Sequence, residues 1–315
     1  MKGAAPSFHK VHYALRPAKQ VERRMFIDAF TQLSKIGFPI SDYHYVGMGS
    51  VYFVDYIMFH RYLGIAKMTS VEIRGAAKRR LEFNRPCTLV DVHIGDIATY
   101  VSSLSPDRRY IVWLDYDHVL DKDVINALKL ALVQLSPGSI LIVTVDAMPP
   151  GGSEDGPAEW MSYYSDVAGP FLWLKPGLAD FSQSEIVKVN TRILQSVIDS
   201  GLAGRQEITF FPLFDIWYKD VHEMLTIGGV ISSSQERGWL KNLDTKRFPY
   251  LRTRLSYNPY KIRVPLITRK EKLQLDSAMP GQGSTVKSET GLTIKDIKDY
   301  EKIYRFYPDY AEMYL

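Results

Sequence analysis

The stretch that decides the fold is 43–50, Tyr-His-Tyr-Val-Gly-Met-Gly-Ser, in which a short apolar run enters a turn with two glycines. This pattern predicts a strand followed by a helix, and the chain repeats the alternation downstream. The predicted strands cover 43–46, 68–73, 88–94, 110–114 and 139–145. The predicted helices between them run from the glycine turn to about 62, and over 76–83, 97–104 and 121–135. Because the strands are largely unbroken apolar runs, the sequence predicts a doubly wound α/β core around a mostly parallel sheet.

The second half of the chain has a different character. A segment rich in Pro and Gly over 147–159 is predicted as a loop, and 184–198 as a helix. The stretches 208–214 and 224–231 are predicted as an antiparallel hairpin at the sheet edge, which gives seven strands. The predicted divisions are an N-terminal helical segment (1–40), an α/β domain (41–235), a basic and aromatic extension (236–275), a flexible linker (276–292) and C-terminal helices (293–315).

Composition limits the class of protein. The chain has 315 residues, enough for a buried core without disulfides or a structural metal. Hydrophobic residues make up 46% and charged residues 23% of it, which excludes global disorder and collagen-like or coiled-coil architectures. The single cysteine, Cys87, excludes an internal disulfide and a cysteine-rich zinc cluster. The most apolar strand-like run, 140–145, is too short to cross a bilayer, and 1–10 lack the apolar stretch of a secretion signal, so we expect a cytoplasmic protein with no membrane partner.

The glycine turn is the sharpest local signal. Gly47 and Gly49 allow a tight bend and a close approach to a ligand, and the helix N-terminus that follows offers free N–H groups. A dinucleotide-binding turn has a third glycine where this chain has Tyr52, so the motif fits a smaller adenosyl ligand better. An NAD-linked oxidoreductase is therefore disfavoured. The alternative is a tight strand–helix turn that binds no ligand.

Two carboxylates after the next strands extend this signal. Glu72 ends the second predicted strand, 25 positions after Gly47, where an acid can accept hydrogen bonds from ribose hydroxyls. Asp96 follows the third predicted strand, where a carboxylate can accept a hydrogen bond from an adenine amino group. The alternatives are a surface carboxylate for Glu72 and a helix N-cap for Asp96, and Asp96 can serve in both roles.

On these residues the chain resembles the class I S-adenosylmethionine-dependent methyltransferases over about 43–146, and toward the hairpin that ends near 231. The positions that correspond to the family's cofactor site are Gly47, Met48, Gly49, Ser50, Glu72, Asp96 and Asp115. The resemblance implies a Rossmann-like methyltransferase sheet with a C-terminal helical extension, S-adenosylmethionine as cofactor, and transfer of a methyl group to an oxygen or nitrogen nucleophile on an acceptor that it does not identify. The whole-chain pattern also resembles a bacterial group of O-methyltransferase-like proteins. One departure is Tyr45, where the family usually has an acid, which shifts recognition of the methionine moiety elsewhere.

Three carboxylates at the ends of the fourth and fifth predicted strands are the candidate catalytic residues: Asp115, Asp117 and Asp146. Ligands in doubly wound sheets bind beyond the carboxyl ends of the strands, so one cleft is expected to contain all three. One role is a general base that takes a proton from a hydroxyl, and another is a site for a hard divalent cation. Metal-dependent O-methyltransferases, which the chain partly resembles, have an Asn where it has Ala147, so a divalent metal is an open alternative and no metal ligands are assigned. Helix capping by Asp117 or Asp121 is the remaining alternative.

A basic N-terminal helix is the first of two signals for an anionic ligand. This helix is predicted from Pro17 to about Ile36, with most of its charge away from the apolar face. Lys19 and Arg23 lie one turn apart on it. They either bind the ligand's carboxylate or an anionic substrate, or belong to an ordinary solvated helix face.

The second signal is the segment 241–272, which holds ten Lys and Arg residues against two acids. The aromatic residues interleaved with them are Phe248, Tyr250, Tyr257 and Tyr260. Cations that neutralise phosphates and rings that stack on bases predict a nucleic-acid partner, with a protein partner or a half-solvated strand as alternatives. The alternative to an enzyme is therefore a catalytically inactive nucleotide-fold binding protein that engages nucleic acid or a protein partner in a bacterial defence or regulatory assembly.

Overall fold

The computed structural model describes residues 16–152, 154–256 and 258–308, so predictions for Tyr257 and for the two ends of the chain lie outside it. Its helices are α1 (Pro17–Lys35), α2 (Val54–Leu63), α3 (Lys78–Asn84), α4 (Ile97–Ser102), α5 (Lys122–Gln134), α6 (Pro157–Ala168), α7 (Ile186–Leu202), α8 (Ser234–Leu240), α9 (Arg269–Ser277), α10 (Lys287–Thr290) and α11 (Ile294–Ile303). Its strands are β1 (His44–Met48), β2 (Lys67–Glu72), β3 (Val90–Ile94), β4 (Tyr110–Val119), β5 (Ile140–Asp146), β6 (Thr209–Lys219), β7 (Glu223–Ser232) and β8 (Tyr260–Ile262).

The strands form one sheet in the order β3-β2-β1-β4-β5-β7-β6-β8. β1 to β5 pair in parallel, and the β6–β7 hairpin joins antiparallel to β5. The predicted α/β class, with a mostly parallel sheet and an antiparallel hairpin, is confirmed. One difference is an eighth strand, because β8 pairs parallel to β6 and covers the hairpin that the sequence placed at the sheet edge. Since β1 to β5 run in the same direction, their carboxyl ends meet along one edge of the sheet.

Helices cover both faces of this sheet, as a doubly wound fold requires. α1 and α2 contact each other on one face, where the ring centroids of Phe26 and Trp113 lie 5.0 Å apart and those of Phe26 and Phe214 4.5 Å apart. The C-terminal helices add Tyr300 and Phe306 to this same core. On the opposite face, α5 contacts both α4 and α7. α1 is thus buried between the sheet and the C-terminal helices, a position that matters for the site.

Helix α6 begins inside the segment that the sequence predicted as a loop over 147–159. Pro157 occupies the first turn, and the Gly156 N–H donates a hydrogen bond to Glu159 Oε2 at 3.0 Å. Proline at the start of a helix and an acid in its first turn are helix-start signals, so the prediction gave too much weight to the prolines and glycines before them.

The segment predicted as a linker, 276–292, contains a 3₁₀ turn over Gly283–Val286 followed by α10. Val286 is buried against the core, and the Gly281 N–H donates to Glu301 at 2.9 Å. Of the predicted C-terminal helix pair, α11 and a 3₁₀ turn lie within the described residues. Across the described residues, no helix combines the length and the apolar character that crossing a membrane requires.

Candidate active site

A cavity of about 520 Å³ lies at the carboxyl ends of β1 to β4. Its walls include Met48, Gly49, Glu72, Asp96, Asp115 and Asp117. Six of the predicted site residues therefore surround one space. Gly47, Ser50 and Asp146, which were also predicted, do not line it, and neither does Tyr45 or Tyr52. The glycine turn is thus open to a ligand on the side that faces Glu72.

Gly47 and Gly49 provide space rather than an unusual backbone conformation. A Cβ on Gly49 would lie 2.8 Å from Glu72 Cβ and 3.0 Å from Glu72 Oε2. A Cβ on Gly47 would lie 2.5 Å from the Tyr45 hydroxyl and 2.8 Å from the Tyr56 hydroxyl. The left-handed residue of the turn is Phe53 (φ 46°), not a glycine. Neither glycine has a left-handed backbone, so the predicted cause of the tight bend is wrong. The groups that approach the glycines closely are side chains of this chain, and the close approach of a ligand stays a prediction.

Glu72 is placed to act as an acceptor at the cavity wall. It is 9% exposed, so the alternative of a surface carboxylate is wrong. Its Oε1 accepts a hydrogen bond from the Arg74 N–H at 3.0 Å. Burial raises the pKa of Glu72, the Arg74 N–H opposes that shift, and the Asp117 charge adds to it. The second carboxylate oxygen, Oε2, lies on the Gly49 side, where the missing side chain leaves room for Glu72 itself.

Asp96 caps a helix and lines the cavity at the same time. Its Oδ2 accepts hydrogen bonds from the Thr99 N–H at 2.8 Å and the Thr99 hydroxyl at 3.1 Å, at the N-terminus of α4. The capping alternative is therefore confirmed. Because Oδ2 makes both bonds, Oδ1 is left for a ligand at the cavity.

The three candidate catalytic carboxylates have separate environments. Asp115 accepts a hydrogen bond from Lys19 Nζ at 2.6 Å. Asp117 is exposed, lines the cavity, and makes no hydrogen bond among the described residues. Asp146 is 7% exposed and accepts from the Met148 N–H at 2.8 Å, with His222 Nδ1 at 3.3 Å, outside the cavity. The Asp117 charge raises the pKa of both Glu72 and Asp146, after the larger effect of burial.

Sequence reasoning missed a buried charge cluster under the glycine turn. Lys19, Glu22 and Arg23 of α1 are at most 2% exposed, so the predicted solvated helix face is wrong. Lys19 Nζ lies 2.6 Å from Asp115, 2.9 Å from Glu22 and 4.2 Å from the centroid of the Trp113 ring. The signal was present in the sequence, since these three charged residues lie on the same helical stripe as Phe26, Phe30 and Leu33.

Tyr45 stands at the position where the resemblance predicted an acid, and it binds an acid from a neighbouring helix. Its phenol donates a short hydrogen bond to Asp55 Oδ2, from the first turn of α2. Both side chains are buried, and burial raises the pKa of Asp55 while the Arg23 guanidinium opposes that shift. Asp55 is thus bound to Tyr45 beneath the turn, and neither side chain lines the cavity.

In the basic segment 241–272, most of the cationic side chains are exposed, whereas the described aromatic side chains are buried. Eight of its ten Lys and Arg residues are exposed. Phe248, Tyr250 and Tyr260 are at most 8% exposed and belong to the core around α1. The predicted stacking of these three rings on bases is therefore wrong, because their faces are already covered. A nucleic-acid or protein partner for this segment stays a prediction that rests on charge alone.

A metal site does not form from the described residues, in which no three His, Cys, Asp or Glu side chains come together in a way that could hold an ion. Asp115 and Asp146, the pair considered for a divalent metal, are bound instead to Lys19 and to the Met148 N–H.

Comparisons with known proteins show the family to which the chain is similar. A protein-family model described as "Putative O-methyltransferase" matches residues 11–315. Trm1 from Pyrococcus horikoshii, in complex with S-adenosyl-L-methionine, is 15% identical over 95% of this chain and 80% of that one (TM-score 0.46). A "putative O-methyltransferase" from Klebsiella pneumoniae is 11% identical over 74% and 93% (TM-score 0.39), and the N-terminal domain of EvdMO1 with SAH bound is 14% identical over 72% and 85% (TM-score 0.40). No curated protein matches the chain.

Proposed function

The chain belongs to this O-methyltransferase family, within the class I S-adenosylmethionine-dependent methyltransferases as the sequence predicted, and on that premise we propose that it methylates an oxygen or nitrogen nucleophile from a donor held in the cavity beside Glu72. The observation that supports this placement best is the contact between Glu72 and Gly49. The Glu72 carboxylate is buried and lines the cavity, and Gly49 lines the same cavity at a position where the closeness of Glu72 leaves no room for a side chain. Two ribose hydroxyls are natural donors to such a group.

The remaining walls suit the rest of an adenosyl ligand. Asp96 also lines the cavity, and its Oδ1 can accept a hydrogen bond from an adenine amino group because the two bonds to Thr99 use Oδ2. Ile97 and Val71 supply apolar surface beside it, which suits the face of a purine ring. A volume of about 520 Å³ lies within the range of small-molecule pockets. These residues therefore fit the adenosine part of S-adenosylmethionine.

Asp117 is the side chain that we assign as general base. S-adenosylmethionine, when bound, supplies a methyl group already activated on a sulfonium sulfur. The protein has to hold the acceptor in line and take up the proton that its hydroxyl or amine loses. Of the two cavity carboxylates in β4, Asp115 is bound by Lys19, whereas the Asp117 side chain makes no hydrogen bond among the described residues and lines the cavity.

Replacing Glu72 with alanine is expected to weaken S-adenosylmethionine binding by roughly 10-fold to 100-fold, the value of hydrogen bonds to a charged acceptor. Isothermal titration of the wild type and the variant with S-adenosylmethionine measures this change in Kd. The matched control is Glu82→Ala, an exposed acid on α3 that lies outside the cavity, which should leave the Kd unchanged.

Two results of this titration contradict the proposed function. One is the absence of binding heat for the wild type under conditions in which the protein is folded. The other is an equal Kd for Glu72→Ala and Glu82→Ala, which means that the carboxylate at the end of β2 does not contact the ligand.

A further inference from the structure

Two clefts adjoin at the outer end of the sheet, beside β6 and β8. The first basic cleft has a volume of about 460 Å³, and its walls come from the segment 245–258. No acid among the described residues lines it. The cationic and uncharged hydrogen-bond donors in its wall include Lys246, Arg252, Arg254, Thr245, Thr253 and Asn258. Such a lining favours an anionic ligand.

The second basic cleft, of about 240 Å³, shares Asn258 with the first. Its wall includes Trp217, whose ring is partly exposed. Lys261 Nζ lies 5.8 Å and Arg263 Cζ 6.0 Å from the centroid of that ring. The second cleft therefore combines cations with an aromatic surface.

Four cations of these clefts have no acidic partner. In the second cleft, Lys188 Nζ lies 2.7 Å from Glu185, and Glu223 lies 3.2 Å from Lys219, so these charges are already paired. The cations that form no ion pair among the described residues are all exposed: Lys246, Arg254, Lys261 and Arg263. An anion that enters the clefts therefore meets positive charge that no carboxylate balances.

A buried acid fixes the loop of the first cleft. Asp215 of β6 is 0% exposed, and its Oδ2 accepts a hydrogen bond from the Ser256 N–H at 2.9 Å. The Arg252 N–H donates to the Leu213 carbonyl at 2.9 Å, and the Arg252 charge acts on Asp215. The backbone of Arg254 thus lies between two anchors on β6. A loop that is ordered before the ligand arrives loses less entropy on binding.

The clefts lie on the same edge of the sheet as the cavity. Because β7 is antiparallel to both β5 and β6, and β8 is parallel to β6, the carboxyl ends of β6 and β8 share the edge that holds the cavity. Glu223, in the wall of the second cleft, accepts a hydrogen bond at its carbonyl from the Ala147 N–H at 2.6 Å, directly after β5. The strand β4, which carries Asp117, lies three strand spacings from β6, about 14 Å. An acceptor that occupies both the clefts and the cavity is therefore an extended molecule.

We propose that the two basic clefts bind the phosphate groups of a single-stranded nucleic acid and that this strand is the methyl acceptor, an inference that rests on the proposed function. Side chains of Arg, Lys, Thr and Asn are common partners of phosphate oxygens in nucleic-acid complexes, and they are the residue types of the first cleft. Exposed aromatic rings stack on bases, and Trp217 offers such a surface. A nucleic-acid strand also has the repeated charges and the length to reach from the clefts to the cavity.

Fluorescence anisotropy of labelled single-stranded oligonucleotides, one RNA and one DNA of the same sequence, tests the binding. The wild type should bind at least one of them, and log Kd should rise with log salt concentration at a slope of about 3, the value for four phosphate contacts. The double variant Lys246→Gln with Arg254→Gln should weaken binding roughly 10-fold and lower this slope by about 1.4. The strand that binds more tightly identifies RNA or DNA as the source of the phosphates.

The matched control is Arg269→Gln with Lys270→Gln, which removes two exposed charges from α9, outside both clefts. It should leave the Kd within about threefold, because it removes no phosphate contact. Equal weakening by the two double variants overturns the inference, since it shows attraction by overall charge. Two other results also overturn it: no saturable binding of either oligonucleotide to the wild type, and displacement of the oligonucleotide by polyglutamate as effective as by the unlabelled strand, which assigns the clefts to an acidic peptide.

Nuclease digestion tests whether the bound strand is the acceptor. A cell-extract fraction that supports formation of S-adenosylhomocysteine by the wild type should lose this capacity after treatment with RNase or DNase, according to the strand that binds. Turnover that survives both nucleases overturns the acceptor assignment. Failure of the wild type to bind S-adenosylmethionine overturns the proposed function instead, while the anisotropy result decides on the clefts independently, which separates the two failures.

Discussion

Replacing Lys19 with methionine is expected to lower the free energy of unfolding by about 3 to 5 kcal/mol, the cost of removing one partner from a buried ion pair. The substitution leaves Glu22, which is fully buried, and Asp115 without their cation. Methionine fills a similar volume against the Trp113 ring. The loss of stability therefore comes from the missing charge and not from a cavity. Burial already raises the pKa of Glu22, and loss of the ammonium raises it further. The destabilisation should therefore be smaller at low pH, where Glu22 is protonated in both states, and grow as the pH rises through its pKa in the folded protein.

Urea denaturation at neutral and at acidic pH measures this effect. Lys188→Met is the matched control, because Lys188 pairs with Glu185 at 2.7 Å on an exposed face of α7 and its loss should cost less than about 1 kcal/mol. A second variant, Lys19→Met with Glu22→Leu, removes the stranded acid and should recover part of the lost stability. If Lys19→Met is as stable as the control, the charge cluster of α1 is not buried in the way described.

Replacing Asp117 with asparagine is expected to lower the rate of methyl transfer by about 10²-fold to 10⁴-fold, the usual contribution of a general base. Asparagine has nearly the same shape but cannot take up the acceptor's proton. Because Asp117 makes no hydrogen bond among the described residues, the substitution breaks no contact that holds the cavity together. Affinity for S-adenosylhomocysteine should therefore stay within about threefold of the wild type, since the loss concerns the transition state alone.

The rate is measured as S-adenosylhomocysteine formed with a cell-extract fraction that supports turnover by the wild type. Asp107→Asn, an exposed acid at the opposite edge of the sheet, is the control and should turn over normally. Full activity of Asp117→Asn contradicts the assignment and transfers the role of base to Asp115 or to the acceptor itself.

Much of the fold could be predicted because parallel strands covered on both faces are continuous apolar runs. β5, Ile140–Asp146, is buried at every position, and the sequence shows it as nearly unbroken apolar residues. β8 could not be predicted in the same way, since Tyr260–Ile262 is three residues long and its pairing to β6 depends on a distant part of the chain. α6 was missed because the prolines and glycines before it are typical of loops as well as of helix starts.

The residues of the candidate site also differ in whether the sequence alone could predict their positions. Glu72 and Asp96 could be predicted because strand ends in a doubly wound sheet have fixed neighbours, so the spacing along the chain gives the position in space. The α1 cluster could not, since nothing local shows that C-terminal residues such as Tyr300 would cover the outer face of α1 and leave Lys19 and Arg23 on the buried side. Tertiary packing decides which faces of such a helix are buried. The sequence shows only that charged residues lie on the same helical stripe as apolar ones.

The most direct measurement is a crystal structure of the protein soaked with S-adenosylhomocysteine. The account predicts the ribose hydroxyls on Glu72 beside Gly49 and the adenine toward Asp96. An empty cavity in crystals grown with saturating ligand, or adenosine bound elsewhere on the molecule, contradicts it.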